Sequence, residues 1–314
     1  MIKPLASKFS QHNNTPITKL PIRTFSSESE NELSIVTRQD QIINKGEYVY
    51  RPSGNWTKDV HKFLGYLHDK GFDATPKPLG FDKTCKEIVS FIKGEVSNYP
   101  LSKNASSIQA LTSAAILLRK YHDISMGFLE DNNVEEKLWQ LPCRYPIEVI
   151  CHGDYAPYNV VLNGKQAVGI IDFDTAHPGP RTWDIAYALY RWAPLTNPNN
   201  HDGFGHLKSQ VARAALFCNS YGLPVEKRIN MAALIIERLQ SLVNFMYKEA
   251  KEGNETMKTN IADGHHLLYI EDIEYIKTHS PYINYKLYCY EPEKQPKLYP
   301  DSKFTWNIEH TPII

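Results

Sequence analysis

The chain has 314 residues, of which 42% are hydrophobic and 22% charged, a globular composition with room for one large domain or two lobes. Lysine plus arginine and aspartate plus glutamate both number 35, so net charge gives no reason to expect nucleic acid or an anionic membrane as a partner. The five scattered cysteines form no C-x-x-C pair, and no run of about 18 apolar residues or signal-peptide core occurs. We therefore expect a soluble, cytoplasmic protein without a disulfide framework, whose oligomeric state the sequence leaves open.

Residues 1–33 are rich in Ser, Thr, Asn and Pro and show no hydrophobic period. Because ordering each residue costs roughly 1–2 kcal/mol and this segment has little to bury, a flexible arm is predicted. The alternative is an arm that pins itself to the body through Phe9, Ile22 and Phe25.

Residues 34–93 predict a small α+β lobe. Three segments rich in β-branched or aromatic residues predict strands: 34–37, 47–51 and 87–92. The turn signal at 44–46 predicts a hairpin between the first two of these strands. A helix is predicted from Thr57, as its N-cap, to Gly71. Its apolar face consists of Val60, Phe63, Leu64 and Leu67.

Residues 94–279 predict a larger, mainly helical part. Four amphipathic segments predict helices: 105–122, 206–221, 226–250 and 264–278. Three apolar segments predict strands: 148–151, 160–162 and 167–173. The Asn163-Gly164 pair between the last two strands is a strong hairpin signal. Residues 280–314 form an extension with many aromatic side chains, which we expect to pack on the body.

The residues that point to chemistry lie between positions 151 and 189. Asp154 and Asn159 lie five residues apart in a loop between two predicted strands, and Asp172 ends the next strand. The tight hairpin folds that strand back along its partner and so brings Asp172 beside the loop. Two carboxylates and a carboxamide then converge, which suits magnesium because magnesium prefers oxygen ligands. Phosphoryl transfer also needs a carboxylate free of metal, to orient an acceptor hydroxyl and receive its proton.

The spacing H-G-D-x-x-x-x-N, followed by I-D-F-D and D-I-A-Y, resembles the catalytic core of the aminoglycoside phosphotransferase and choline kinase superfamily. The resemblance implies an α+β, two-lobed protein-kinase-like fold, with a small sheet-containing N-terminal lobe and a larger, mainly helical C-terminal lobe. It also implies transfer of the γ-phosphoryl group of ATP or GTP to a hydroxyl of a small molecule, with Mg²⁺ as cofactor. It extends over roughly 35–279, and only the 152–184 segment is specific enough to stand alone.

Each matching position inherits a role from this resemblance. Asp154 would be the base that orients the acceptor hydroxyl. Asn159 and Asp172 would hold magnesium on the nucleotide phosphates. His152 would brace the catalytic loop by hydrogen bonding, and Asp184 would support that loop from the following helix.

The resemblance also assigns residues that meet the nucleotide. Asp174 matches a position that is acidic in the choline kinases, where it would either reach a second metal or serve as a structural carboxylate. Arg51 matches the basic strand residue that contacts the phosphates, where a guanidinium offers a fixed fork. The hinge between the lobes would present backbone groups around Ser90, Phe91 and Ile92 to the adenine.

The small lobe departs from the family pattern at two points. The helix after Arg51 should carry an acid that pairs with the basic residue, but Val60 occupies that position with Asp59 beside it. Either Asp59 takes over this pairing or the ion pair is absent. A glycine-rich phosphate loop is not recognisable either.

Several other polar residues admit a simple interpretation. His122, on the apolar face of its helix, is predicted to be a hydrogen-bonded core histidine. His177 and Arg181 either face the acceptor pocket or tie down a loop. His265 and His266 point about 100° apart on a helix, so they predict no zinc site.

Three functions are compatible with these features. The first is a small-molecule kinase, and acidic and basic residues are too evenly balanced over 206–262 to favour a polycationic aminoglycoside. The second is a nucleotide-binding pseudoenzyme or immunity-type binding protein without turnover. The third, a protein kinase, is disfavoured because no activation segment separates Asp172 from Asp184.

Overall fold

The structure is a computed structural model that describes residues 35–37 and 42–289. Both the predicted N-terminal arm and most of the predicted aromatic extension lie outside the described residues. Among those that are described, no helix is both long enough and apolar enough to cross a membrane.

The small lobe is a five-stranded antiparallel sheet with one helix. Its strands are β1 (Ile35–Thr37), β2 (Ile42–Lys45), β3 (Tyr48–Arg51), β4 (Pro78–Phe81) and β5 (Glu87–Ser90). They pair in the order β1-β2-β3-β5-β4, so β3 and β5 are neighbours although a helix and a strand separate them in sequence. That pairing places Arg51 of β3 opposite Glu87 of β5.

Helix α1 (Thr57–Asp69) packs the predicted apolar face into the core. The buried side chains of this face are Val60, Phe63, Leu64 and Leu67. The N-cap is Trp56 and not Thr57, whose hydroxyl oxygen accepts a hydrogen bond from Gly54 N at 2.9 Å. Beyond the helix, Gly71 adopts φ +77°, and Phe72 N donates to Leu67 O, the pattern of a Schellman C-cap.

Two features of this sheet differ from the prediction. The predicted hairpin does not join the first strand to 47–51, because β2 lies between them and the turn at Gly46 joins β2 to β3. Strand β4 was not predicted, because Pro76 and Pro78 indicate the end of the preceding region. Pro78 is nevertheless the first residue of an edge strand, where a missing N–H group is tolerated.

The large lobe contains six further helices and two short two-stranded sheets among the described residues. The helices are α2 (Ile108–Asp131), α3 (Arg181–Trp192), α4 (Leu207–Tyr221), α5 (Met231–Lys251), α6 (Glu255–Ala262) and α7 (His265–Tyr288). The strands are β6 (Val149–Cys151), β7 (Val160–Asn163), β8 (Gln166–Ile170) and β9 (His177–Gly179), pairing as β6-β9 and β7-β8.

Two helices are longer than the sequence suggested, and one was missed. Helix α2 continues past 122 to Asp131, and α7 continues past 278 to Tyr288, so the start of the predicted extension is helical. Helix α6 was not predicted, and none of its residues is buried, so it lacks the apolar stripe that a sequence pattern would reveal.

The predicted Asn163-Gly164 hairpin forms between β7 and β8, with Asn163 paired to Gln166 and Gly164 at φ +59°. The chain that leaves the small lobe passes close to this hairpin. At Gly94, with φ +146°, an added Cβ would lie 2.5 Å from Leu162 O, so only glycine fits this crossing. The two lobes therefore meet at β7, the strand that follows the 152–159 loop.

Candidate active site

Asp154 lies in the loop that follows β6, beside a single turn of 3-10 helix that ends at Asn159. The side-chain amide of Asn159 donates to Asp154 Oδ2 at 2.8 Å and to its backbone oxygen at 3.0 Å. The hydroxyl of Tyr158 donates to Asp154 Oδ1 at 2.7 Å. Both carboxylate oxygens are therefore held in one orientation by donors from the same loop.

The surroundings of Asp154 raise its pKa above the ordinary value of an aspartate. Burial is the main cause and the negative charge of Asp172 adds to it, whereas the hydrogen bond from Tyr158 acts in the opposite direction. A carboxylate with a raised pKa is a better proton acceptor, which is the property that a general base needs.

His152 connects this loop to the end of β8. Its Nε2 lies 3.0 Å from Ile171 O, and its Nδ1 accepts a hydrogen bond from Asp154 N at 3.2 Å. Since a carbonyl oxygen can only accept, the proton is on Nε2 and the ring is the neutral tautomer in this arrangement. The ring is fully buried, so it fixes the loop from inside the core.

Asp184, in the first turn of α3, supports the loop from below. Its two oxygens accept hydrogen bonds from His152 N at 2.6 Å and from Gly153 N at 2.8 Å. Burial raises the pKa of Asp184, but the hydrogen bonds from the His122 ring and from the backbone N–H of His152 act in the opposite direction, and the pKa is lowered to about 2. The carboxylate is therefore ionised at neutral pH and anchors two backbone amides.

His122 of α2 is the hydrogen-bonded core histidine that the sequence predicted. Its Nε2 lies 3.0 Å from Asp184 Oδ2, and its Nδ1 lies 2.7 Å from the hydroxyl of Tyr221. Burial lowers the pKa of His122, so the ring favours its neutral form. The histidine thereby contributes to the network that holds the catalytic loop.

Asp172 follows β8 and adopts a left-handed backbone conformation, with φ +68°. This conformation is uncommon for a residue other than glycine and is found at functional sites. The hairpin places Asp172 next to Asn159, because Ile171 N donates to Asn159 O at 2.9 Å. Asp154, Asn159 and Asp172 thus lie together in the structure.

Arg51 joins the small lobe to this group of acids. A single nitrogen, Nη2, lies 2.9 Å from Asp172 Oδ1 and 2.7 Å from Asp174 Oδ2. Burial raises the pKa of Asp174, and the negative charge of Asp172 adds to this effect although Arg51 opposes it. The carboxylates of Asp172 and Asp174 lie close together and repel each other, so a positive charge between them stabilises both.

This set of donors fits a hard divalent cation. Over the described ranges, no three His, Cys, Asp or Glu side chains gather into a metal cluster, so a site of protein acids alone is not present there. Magnesium does not require one, since it commonly takes one or two carboxylates together with phosphate oxygens and water. Asn159 uses its amide nitrogen on Asp154, which leaves its side-chain oxygen for a cation.

The acid that faces Arg51 in the small lobe is not Asp59, the candidate on helix α1. Asp59 contacts Lys62 Nζ at 2.8 Å and accepts from Leu138 N at 3.0 Å, while Val60 is buried in the apolar core. Glu87 of β5 lies instead beside the guanidinium, with Oε1 3.2 Å from Arg51 Nε. The sequence missed this residue because only the strand register reveals it.

The hinge residues are less open to a ligand than the resemblance implied. Ser90 N donates to Lys77 O at 2.9 Å, and Phe91 N donates to Glu47 O at 2.8 Å. The N–H groups of Ser90 and Phe91 are therefore used within the lobe itself. The assignment of backbone groups around Ser90, Phe91 and Ile92 to the adenine stays a prediction.

The contacts of His177 and Arg181 favour the loop-anchoring alternative. His177 is buried and bonds to Thr175 O at 2.8 Å through Nδ1, and burial lowers its pKa to about 4. Arg181 pairs with Asp123 at 2.8 Å and donates to the Tyr221 hydroxyl at 3.0 Å. Both residues hold neighbouring elements together.

Sequence reasoning also missed Arg238 of α5. Its Nη2 donates to Gly153 O in the catalytic loop, and its guanidinium lies 4.3 Å from the ring centre of Tyr187. The signal was available: Arg238 lies three residues after Ile235 on the buried face of the helix. An arginine at such a position requires an acceptor or an aromatic ring to compensate for its burial.

Comparisons with known proteins give one family and several relatives. Residues 129–214 match the model of the phosphotransferase enzyme family. The chain is 28% identical over 228 residues to a trifolitoxin immunity protein from Rhizobium leguminosarum bv. trifolii, covering 71% of this chain and 84% of that protein.

Solved structures share the fold at low sequence identity. An ethanolamine kinase from Plasmodium vivax is 14% identical, with a TM-score of 0.51 and coverage of 78% of this chain and 82% of its own. An amicoumacin kinase in complex with AMP-PNP, Ca²⁺ and amicoumacin is 12% identical, with a TM-score of 0.50 and coverage of 74% and 89%. The two-lobed, protein-kinase-like fold expected from the sequence is confirmed.

Proposed function

We propose that this chain, whose residues 129–214 belong to the phosphotransferase enzyme family, transfers the γ-phosphoryl group of ATP or GTP to a hydroxyl of a small molecule. The observation that carries the proposal is the meeting of Asp154, Asn159 and Asp172 at one point between the lobes. It combines one carboxylate held by hydrogen-bond donors with a second one gathered around positive charge, a division of labour that phosphoryl transfer requires.

In this proposal Asp154 is the base. Its carboxylate orients the acceptor hydroxyl, whose oxygen forms a bond to the γ-phosphorus while the bond from that phosphorus to the β,γ-bridging oxygen breaks. The hydroxyl proton passes to Asp154, and the nucleoside diphosphate leaves with the bridging oxygen. The raised pKa of Asp154 supports the proton transfer, and the hydrogen bonds from Tyr158 and Asn159 support the orientation.

Asn159, Asp172 and Asp174 would hold magnesium on the nucleotide. When bound, the cation neutralises charge on the phosphate oxygens. Arg51 is the small-lobe residue that would contact the same phosphates, and its guanidinium already points at the two acids. Its planar fork suits two phosphate oxygens at once.

The side chains around Asp154 do not suit a polycationic acceptor. The Tyr158 hydroxyl lies 3.1 Å from that of Tyr187, and Arg191 stacks 4.0 Å from the ring centre of Tyr99. Arg238 reaches the same loop. The positive charge of the arginines disfavours a densely cationic acceptor, and the tyrosine rings offer surface for an apolar or aromatic body.

A screen with labelled nucleotide tests the proposal. The purified protein, Mg²⁺ and either ATP or GTP are incubated with panels of hydroxylated metabolites and antibiotics, and products are read by the mass gain of one phosphoryl group. We expect the wild type to label at least one acceptor, and we expect Asp154→Ala to label none. Equal labelling by both proteins would refute the assignment.

A second candidate function rests on the similarity to the trifolitoxin immunity protein, which extends over most of both chains. A protein of this type could bind a toxin without turnover. Expression of the wild type and of Asp154→Asn in trifolitoxin-sensitive bacteria separates the two functions. If both proteins protect the bacteria, binding alone is supported. If the wild type protects and Asp154→Asn does not, phosphorylation of the toxin is supported.

A further inference from the structure

Glu87 lies directly across the sheet from Arg51. The two residues are paired in the antiparallel register of β3 and β5, and Glu87 Oε1 is 3.2 Å from Arg51 Nε. Side chains paired in this way point to the same face and lie within reach of each other. The contact therefore follows from the register of the sheet and not from any local sequence motif.

The carboxylate of Glu87 is fixed from a second direction. His61 of α1 places Nε2 3.0 Å from Glu87 Oε2, and only 4% of the Glu87 side chain is exposed. A buried carboxylate is stable only when partners surround it, and here two elements supply them. Glu87 thus faces the Nε side of the guanidinium from a fixed position, as an ion pair whose two atoms, Oε1 and Nε, make no hydrogen bond.

The opposite side of the guanidinium points at the candidate metal ligands. Nη2 contacts Asp172 and Asp174, so Arg51 spans the distance from the sheet to the large lobe. Helix α1 supplies no acid for this purpose, since Asp59 is occupied by Lys62 and Leu138 N.

We propose that Glu87 is the residue that positions Arg51 for the nucleotide phosphates, in place of an acid on helix α1. The inference rests on the proposed function. With Glu87 present, Arg51 keeps its position when Asp172 and Asp174 bind a cation instead of the guanidinium. Without Glu87, the guanidinium has only those two acids as partners and competes with the cation for them.

Calorimetric titration of the full-length protein with Mg·ADP tests this role. Glu87→Gln should bind Mg·ADP about tenfold more weakly or worse, because the guanidinium loses the charged partner of a buried ion pair. It should also need more Mg²⁺ to reach half-saturation. Asp59→Asn is the matched control, an acid-to-amide change in the same lobe, and should bind like the wild type.

The outcomes separate this inference from the proposed function. Wild-type affinity in a folded Glu87→Gln protein would overturn the inference alone. A wild type that binds no Mg·ADP would overturn the proposed function and this inference with it. If circular dichroism shows that Glu87→Gln is unfolded, Glu87→Asp takes its place, and unchanged affinity in that variant overturns the inference.

A double-mutant cycle distinguishes positioning from general support of the lobe. Because Glu87 acts through Arg51, the Glu87→Gln change should lose most of its effect on Mg·ADP affinity in an Arg51→Met background, which has no cation for Glu87 to position. A residue with a merely structural role would weaken binding by the same factor in both backgrounds. That second result would contradict the proposal.

Discussion

In the large lobe, the groups around Asp154 come mainly from one stretch of chain, between His152 and Asp184. In the small lobe, the groups around Arg51 come from separate elements: Glu87 from β5, and behind it His61 from α1. The first arrangement is maintained by short turns and by hydrogen bonds within one loop. The second arrangement depends on strand register and on helix packing. A different element can therefore supply the acid that faces Arg51 while Arg51 stays in the same position.

This difference predicts where substitutions act most strongly. Changes in the large-lobe loop should lower phosphoryl transfer in the proposed function, because hydrogen bonds between neighbours in sequence hold the side chains of the loop in place. Changes in the small lobe weaken nucleotide binding, as expected for Glu87→Gln, without removing the base.

The largest effect is expected from Asp154→Asn. The amide cannot accept the hydroxyl proton, so single-turnover transfer should fall by about 10²–10⁴-fold. Binding of Mg·ADP should stay at the wild-type level, because Asp154 is not assigned to the metal. Rapid-quench measurement of transfer, with calorimetry on the same preparations, checks both parts. Unchanged transfer would break the distinction between the two lobes.

Asp184→Asn should mainly reduce stability. The pKa of Asp184 in the folded state is about 2, below the value of about 3.9 expected when unfolded, so its contribution is present above pH 4 and is lost as the pH falls toward 2. At neutral pH this contribution is about 2–3 kcal/mol. Urea unfolding from pH 7 to pH 3 should show a smaller loss for the variant than for the wild type.

Asp123→Asn is the control for this measurement. Asp123 is an acid of α2 whose side chain is 44% exposed and pairs with Arg119 and Arg181. Exposed pairs contribute little to stability, so this variant should follow the wild-type curve. Parallel curves for Asp184→Asn and the wild type would contradict the account of the Asp184 network.

The smallest effect is expected from Tyr158→Phe. The Tyr158 hydroxyl lowers the pKa of Asp154, so its removal raises that pKa further. The base then becomes protonated at a higher pH, and the acidic limb of the pH–rate profile should move upward while the rate at pH 8 changes little. Tyr190→Phe, which removes a phenol bound to Asp272, should leave the limb in place.

The large-lobe site could be predicted because its determinants are local. The Asn163-Gly164 turn forces β8 back along β7, and this alone brings Asp172 beside Asn159. Arg238 was missed although the sequence contains a signal for it. The signal is the position of an arginine among apolar residues on the buried face of α5.

The small-lobe site could not be predicted in the same way. The small-lobe partner of Arg51 is determined by the pairing of β3 with β5, and the sheet order could not be predicted while both β2 and β4 were missed. A sequence pattern indicates that an acid is absent at Val60, but it does not indicate that another strand supplies one.

Binding of Mn²⁺, a magnetic substitute for Mg²⁺, shows which side chains hold the cation when it is measured by electron paramagnetic resonance in the presence of ADP. We expect the wild type and Asp154→Asn to bind the ADP-dependent ion equally, whereas Asp172→Asn and Asn159→Ala should lose it. Loss of the ion in Asp154→Asn, or its retention in both other variants, would contradict the assignment of one carboxylate to the base and of its neighbours to the cation.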